Sequence, residues 1–172
     1  MMFKKKKTEQ ELLDLLEKRA LEIKRFDKLP QLDSFYLSIL AKCKNMEITP
    51  DIRIFGYEEA LKENRYLNSN YPNIAQKLWI IGDTGQGDSW FLDKEKGCIL
   101  FYDHNQGEYS NMQQFICFNI SFFDFLQMAF LYKELEYYIK ENTIDKNKMT
   151  AFKEAIDSIK NNLYDLYPFT YF

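Results

Sequence analysis

Apolar residues recur at helical spacing near both ends of the chain and gather into short continuous runs in its middle. Leu12, Leu16, Ile23 and Phe26 fall on one stripe, with Leu13 and Ala20 beside them, which predicts an amphipathic helix over residues 8–28. Thr8 followed by Glu11 fits a capping box at its start, and Leu29-Pro30 ends it. A second stripe of Leu32, Phe35, Tyr36, Ile39, Leu40 and Cys43 predicts a helix over residues 32–44. Alternation over 52–55 predicts a short strand. Residues 57–67, rich in Glu, Ala, Leu and Lys, predict a short helix.

The pattern then changes. Residues 77–83, 89–93 and 98–103 are β-branched and aromatic runs separated by turn residues, as in a meander of antiparallel strands. Gly85-Gln86-Gly87 joins the first two runs and residues 93–97 the next pair. A fourth strand is expected over 113–119. Ser121 with Asp124 caps a long helix over 122–141, whose face of Phe122, Phe125, Leu126, Ala129, Phe130 and Leu135 should pack on the sheet. Phe152, Ile156, Ile159 and Leu163 mark a final helix over 150–164, and residues 167–172 form an aromatic tail that must pack or bind. The order of helices, strands and helices indicates an α+β fold: a central antiparallel sheet wrapped by N- and C-terminal helices. One domain is expected over residues 1–172, with 1–28 an N-terminal helical extension and 142–172 a C-terminal helix and tail.

Composition narrows the class. Hydrophobic residues make up 46% of the 172 positions and aromatics 17%, enough for one packed core and far from a disordered chain. With 23 basic residues against 26 acidic ones, a dedicated nucleic-acid binder is disfavoured. The charge is uneven: residues 1–29 carry nine bases and six acids, whereas residues 78–110 carry six acids and two bases. Cys43, Cys98 and Cys117 sit among apolar neighbours without a CxxC pairing, which reads as buried free thiols of a reducing compartment, hence a cytoplasmic location. The basic run Lys4 to Lys7 has no apolar segment behind it, so a secretory signal is not expected; the run reads as a solvated, frayed terminus. No apolar stretch approaches the length of a membrane span.

The middle of the chain also carries a resemblance. It reads Leu-Trp-Ile-Ile-Gly-Asp-Thr-Gly-Gln-Gly-Asp-Ser-Trp-Phe-Leu-Asp from Leu78 to Asp93, then Phe-Tyr-Asp-His from Phe101 to His104, then Ser-Phe-Phe-Asp-Phe-Leu from Ser121 to Leu126. Together with Leu29-Pro30, this resembles the SUKH superfamily, which joins the fungal Smi/Knr cell-wall regulators with many bacterial immunity proteins. The likeness spans residues 29–135. It implies a compact α+β protein-binding module that neutralises a cognate bacterial toxin, often a nuclease, by covering its active site.

Among individual residues, Gly82, Gly85 and Gly87 have the reverse of dinucleotide-fingerprint spacing and join two strands, so they read as hairpin glycines at positive φ. Asp83, Asp88, Asp103 and His104 are the cluster that suggests chemistry. Converged carboxylates and an imidazole suit a divalent cation and metal-assisted hydrolysis; the plainer reading is turn hydrogen bonding. His104 is the sole histidine, which excludes zinc schemes that need two or three. Trp79 and Trp90 either pack the sheet or, if exposed beside acids, anchor an interface. The expected partner surface comprises Asp83, Asp88, Trp90, Tyr102, Asp103, His104, Glu108 and Tyr109, facing a basic toxin domain. No catalytic residue, cofactor or resident metal is expected, nor a nucleic-acid or membrane partner. The oligomeric state stays open, and the alternatives are a small hydrolase and a scaffold or signalling adaptor.

Overall fold

A computed structural model describes residues 2–3 and 6–172. Helices α1 (Glu9–Asp14) and α2 (Ser34–Lys42) precede strands β1 (Met46–Thr49) and β2 (Ile52–Ile54). Helices α3 (Tyr57–Asn70) and α4 (Pro72–Lys77) come next, then strands β3 (Leu78–Asp83), β4 (Ser89–Asp93), β5 (Ile99–Tyr102) and β6 (Ile116–Cys117). Helices α5 (Phe122–Lys140), α6 (Lys146–Ile159) and α7 (Leu163–Leu166) close the chain. The strands form one antiparallel sheet in sequence order, β1 to β6. The fold is α+β, as the order of patterns implies.

Both faces of the central strands are covered, which is why β3, β4 and β5 read as continuous apolar runs instead of alternating ones. Trp90 and Phe91 are consecutive in β4 and project to opposite faces. Trp90 packs on Phe125 of α5 and on Tyr167 of the tail. Phe91 packs on Tyr109 and Phe115 of the segment between β5 and β6. Helices α3 and α4 sit against β3, and Asn64 of α3 clamps its backbone by accepting the Ile80 N–H (2.9 Å) and donating to the Ile80 carbonyl (3.0 Å).

Several elements depart from the sequence pattern. The first helix stops at Asp14, not near Lys28, although its capping box forms as expected. Residues 17–23 run as an extended strap beside the end of α2: the Arg19 and Ile23 amides donate to the carbonyls of Lys42 and Ala41 (2.9 Å each), and the Lys44 amide donates to Glu17 (2.9 Å). Carbonyls in the last turn of a helix have no partner within it, and the strap supplies one. Arg19 then anchors the strap to Glu58 through both carboxylate oxygens (3.0 and 2.7 Å). The apolar stripe of this stretch is not buried throughout, since Ala20 and Phe26 are exposed.

Strand β1 and helix α4 have no counterpart in the sequence pattern; α4 begins on Pro72, whose fixed φ suits a first turn. The fourth strand of the meander shrinks to two residues, because Asn111 and Gln114 cap each other's backbone and fold residues 112–114 into a 3₁₀ turn. The expected final helix divides in two: α6 starts at Lys146 on an Asp145 cap and ends at Ile159, and a left-handed Asn162 (φ 64°) precedes α7. The aromatic tail packs on the domain: Tyr167 stacks on Tyr132 (4.0 Å between centroids), and the Tyr171 hydroxyl donates to Glu136 (2.6 Å).

Lys4 and Lys5 lie outside the described residues. Lys7 is tied down on both sides of its peptide: its amide donates to Gln127 of α5 (2.9 Å), and its carbonyl accepts from the same side chain (2.6 Å). Among the described residues no helix is long and apolar enough to cross a membrane.

Candidate functional site

The β3–β4 turn is built around one hydroxyl. Thr84 Oγ1 accepts the amides of Gln86 (3.2 Å) and Asp88 (3.1 Å) and donates its proton to Asp88 Oδ2 (2.9 Å). Of the three glycines only Gly87 lies at positive φ (99°), which corrects the expectation for Gly82 and Gly85. Gly82 serves a different need: a Cβ there would stand 2.1 Å from the Arg53 carbonyl oxygen, so β2 approaches too closely for any side chain. Gly85 donates its amide to Pro50 (2.8 Å), fastening the turn to the β1–β2 connection.

Asp88, Asp103 and His104 converge, with potential ligand atoms all within 4.8 Å of one another. Asp88 is buried, and its Oδ1 accepts both the His104 amide (3.0 Å) and His104 Nδ1 (2.6 Å). Burial acts to raise the Asp88 carboxyl, but the bonds from His104 and Thr84 outweigh it and hold the group below its ordinary value. With the carboxylate ionised, Nδ1 carries the proton that bonds to Asp88. Asp103 caps the short turn His104–Gln106 by accepting the Asn105 amide (2.9 Å). A buried carboxylate that fixes an imidazole tautomer also occurs beneath catalytic histidines. Here, however, Nδ1 and both Asp88 oxygens are already engaged, so a cation could take Nδ1 only by breaking the Asp88–His104 bond.

Asp83 does not join this group. It faces Arg53 across the β2–β3 register, with Nε 3.0 Å from Oδ1, and shares a separate cavity with Glu59. Burial raises its carboxyl, Arg53 opposes and Glu59 adds. Trp90 and Tyr102 are corrections of a different kind. Both are expected on a partner surface and both are core: Trp90 is fully buried with its indole N–H on the Asp51 carbonyl (2.8 Å), and Tyr102 is 2% exposed. The Tyr102 hydroxyl reaches the carbonyls of Gly107 (2.9 Å) and Glu108 (3.0 Å) from beneath. Tyr109 is half-buried among Tyr71, Tyr102 and Phe115. Of the expected surface, His104 and Glu108 are exposed and Asp103 is half-buried.

These last three residues belong to a loop held by its own side chains. Gln114 Oε1 accepts the amides of Ser110 (2.8 Å) and Asn111 (3.2 Å), and Gln106 Nε2 donates to the Gln114 carbonyl (2.7 Å). The Asn-x-x-Gln spacing of residues 111–114 is a capping signature that could have revealed this loop. Arg53 and Thr84, which decide where Asp83 and Asp88 point, carry no such signal. The cysteines also differ from expectation: Cys117 is exposed, and its sulfur lies 3.6 Å from that of buried Cys98, while Cys43 is buried apart from them.

Comparison with models of known protein families, with curated proteins and with solved structures finds no match to this chain.

Proposed function

We propose that this chain is a non-enzymatic protein-binding module of the immunity type, which neutralises a bacterial toxin domain in the cytoplasm by covering its basic active site. The observation that carries this reading is the 103–114 loop: it presents Asp103, His104 and Glu108 at the surface, yet its backbone is held by Gln114, Tyr102 and Asp88. A surface ordered before contact loses little freedom on binding, and an acidic one steers onto a cleft shaped to hold phosphates. The SUKH-like sequence of the same hairpin agrees with that use. Trp90 and Tyr102 contribute from below as supports and make no partner contact. Co-expression with the toxin encoded beside its gene tests the reading. A co-purifying complex and restored growth are expected; the absence of both contradicts it.

A second reading, a metal-assisted hydrolase, rests on the convergence of Asp88, Asp103 and His104. It requires His104 to leave Asp88. Titration calorimetry with Mn²⁺ or Zn²⁺ decides it, because saturable binding abolished by His104→Ala is its minimum requirement.

A further inference from the structure

A cavity of about 470 Å³ lies at the opposite end of β4 from the turn at Asp88, between residues 28–30, α3, α4 and β3. Its volume falls within the range of small-molecule sites. Pro30, Leu61 and Trp79 give it apolar walls, and Lys28, Arg65 and Lys94 are its charged lining residues; none of the residues lining it is acidic. Among the described residues none of these three cations is in an ion pair, although the chain as a whole is acidic. Lys94 is half-buried. Its ammonium donates to the Ala75 carbonyl (2.6 Å), which leaves two N–H donors, and burial lowers its pKa. Asn64, also in the lining, is committed to Ala60 and Ile80, so the polar groups left to this cavity are the three cations and the exposed Asn68 amide.

Lys28 and Arg65 stand exposed at the rim of an apolar hollow and Lys94 is half-buried beside it, and the ligand that suits all three is an anion attached to a hydrophobic body. We propose that this cavity binds a small organic anion, a phosphate or carboxylate carried on a flat apolar ring, with the ring against Trp79 and the charged group held by Lys28, Arg65 and Lys94. The site is independent of the toxin-binding reading and would persist if that reading failed.

The two tryptophans make the test direct, since each contributes one indole N–H signal. Titrating the full chain with 8-anilinonaphthalene-1-sulfonate should shift the Trp79 signal and leave that of Trp90 in place. Replacing Lys28 and Arg65 together by Ala, both exposed side chains, should weaken the dye about tenfold. Binding of the uncharged N-phenyl-1-naphthylamine should change less than twofold. Phenyl phosphate and phenylacetate should compete with the dye, and the stronger competitor identifies the headgroup. An unmoved Trp79 signal, equal dye affinity in the double variant, or no competition by either compound would overturn the proposal.

Discussion

The two ends of β4 carry opposite charge and opposite degrees of commitment. Beyond Ser89, Asp88 engages both carboxylate oxygens within the chain, on Thr84 and on His104. Beyond Asp93, Lys94 joins Lys28 and Arg65 around a cavity with no acid in its walls. Residue type alone would favour the first end as reactive, because it holds the only histidine between two aspartates. The bonding reverses that ranking. A charge whose partners are internal fastens the fold, whereas one left without a counter-charge beside a hollow is free to meet a ligand. The Asp103–Glu108 loop stands between these cases, with a fixed backbone and outward-facing acids.

The sharpest way to break this contrast is to remove a group assigned to the scaffold. Trp90→Ala should lower stability by about 3–5 kcal/mol in urea unfolding, as for other buried aromatics. An effect near zero would place the indole at a surface. Gly82→Ala should cost about 3 kcal/mol, because the new methyl collides with the Arg53 carbonyl and β2 must move.

Asp88→Asn should cost about 2 kcal/mol, since charge-assisted bonds to His104 are lost. It should also change the acid limb. The Asp88 carboxyl is held below its ordinary value in the folded state, so the stability it adds is complete above about pH 4 and disappears as pH falls through the lower folded-state value. The variant should lose less stability than the parent across that interval, and identical acid limbs would mean that Asp88 is not so held. Glu108→Gln, at the exposed end of the comparison, should change stability by less than about 0.5 kcal/mol while weakening capture of the partner.

The smallest effect concerns the thiols. Burial raises Cys43 and raises Cys98 to about 11, with Cys117 as a further cause at Cys98. Cys117 should therefore alkylate first at neutral pH, and mass spectrometry of partial digests reads the order. Faster labelling of Cys43 would show that the end of α2 opens.

Much of the fold is legible because its signals are local. Helix α5 announces itself by the Ser121 cap and a long apolar face, and the β3–β4–β5 meander by its glycine turns. The first helix is overextended by its pattern because a stripe of Leu and Ile is compatible with a helix or a strap; the unfilled carbonyls at the end of α2 decide between them, and they are distant in sequence. The site is half legible. Asp88, Asp103 and His104 do meet, but Asp83 is drawn away by Arg53 through a register that no local pattern encodes. The burial of Trp90 and Tyr102 is hidden because a strand covered on both faces has no outward side to read.

Titration of the neighbouring toxin with this chain tests recognition against chemistry most directly. Toxin activity should fall linearly and vanish at about one equivalent, with Asp103→Asn combined with Glu108→Lys, which keeps a capping oxygen at position 103, abolishing inhibition in a protein that remains folded. Complete inactivation by a small fraction of an equivalent would mean turnover at His104, and no inhibition at any ratio would mean that the acidic loop meets some other partner.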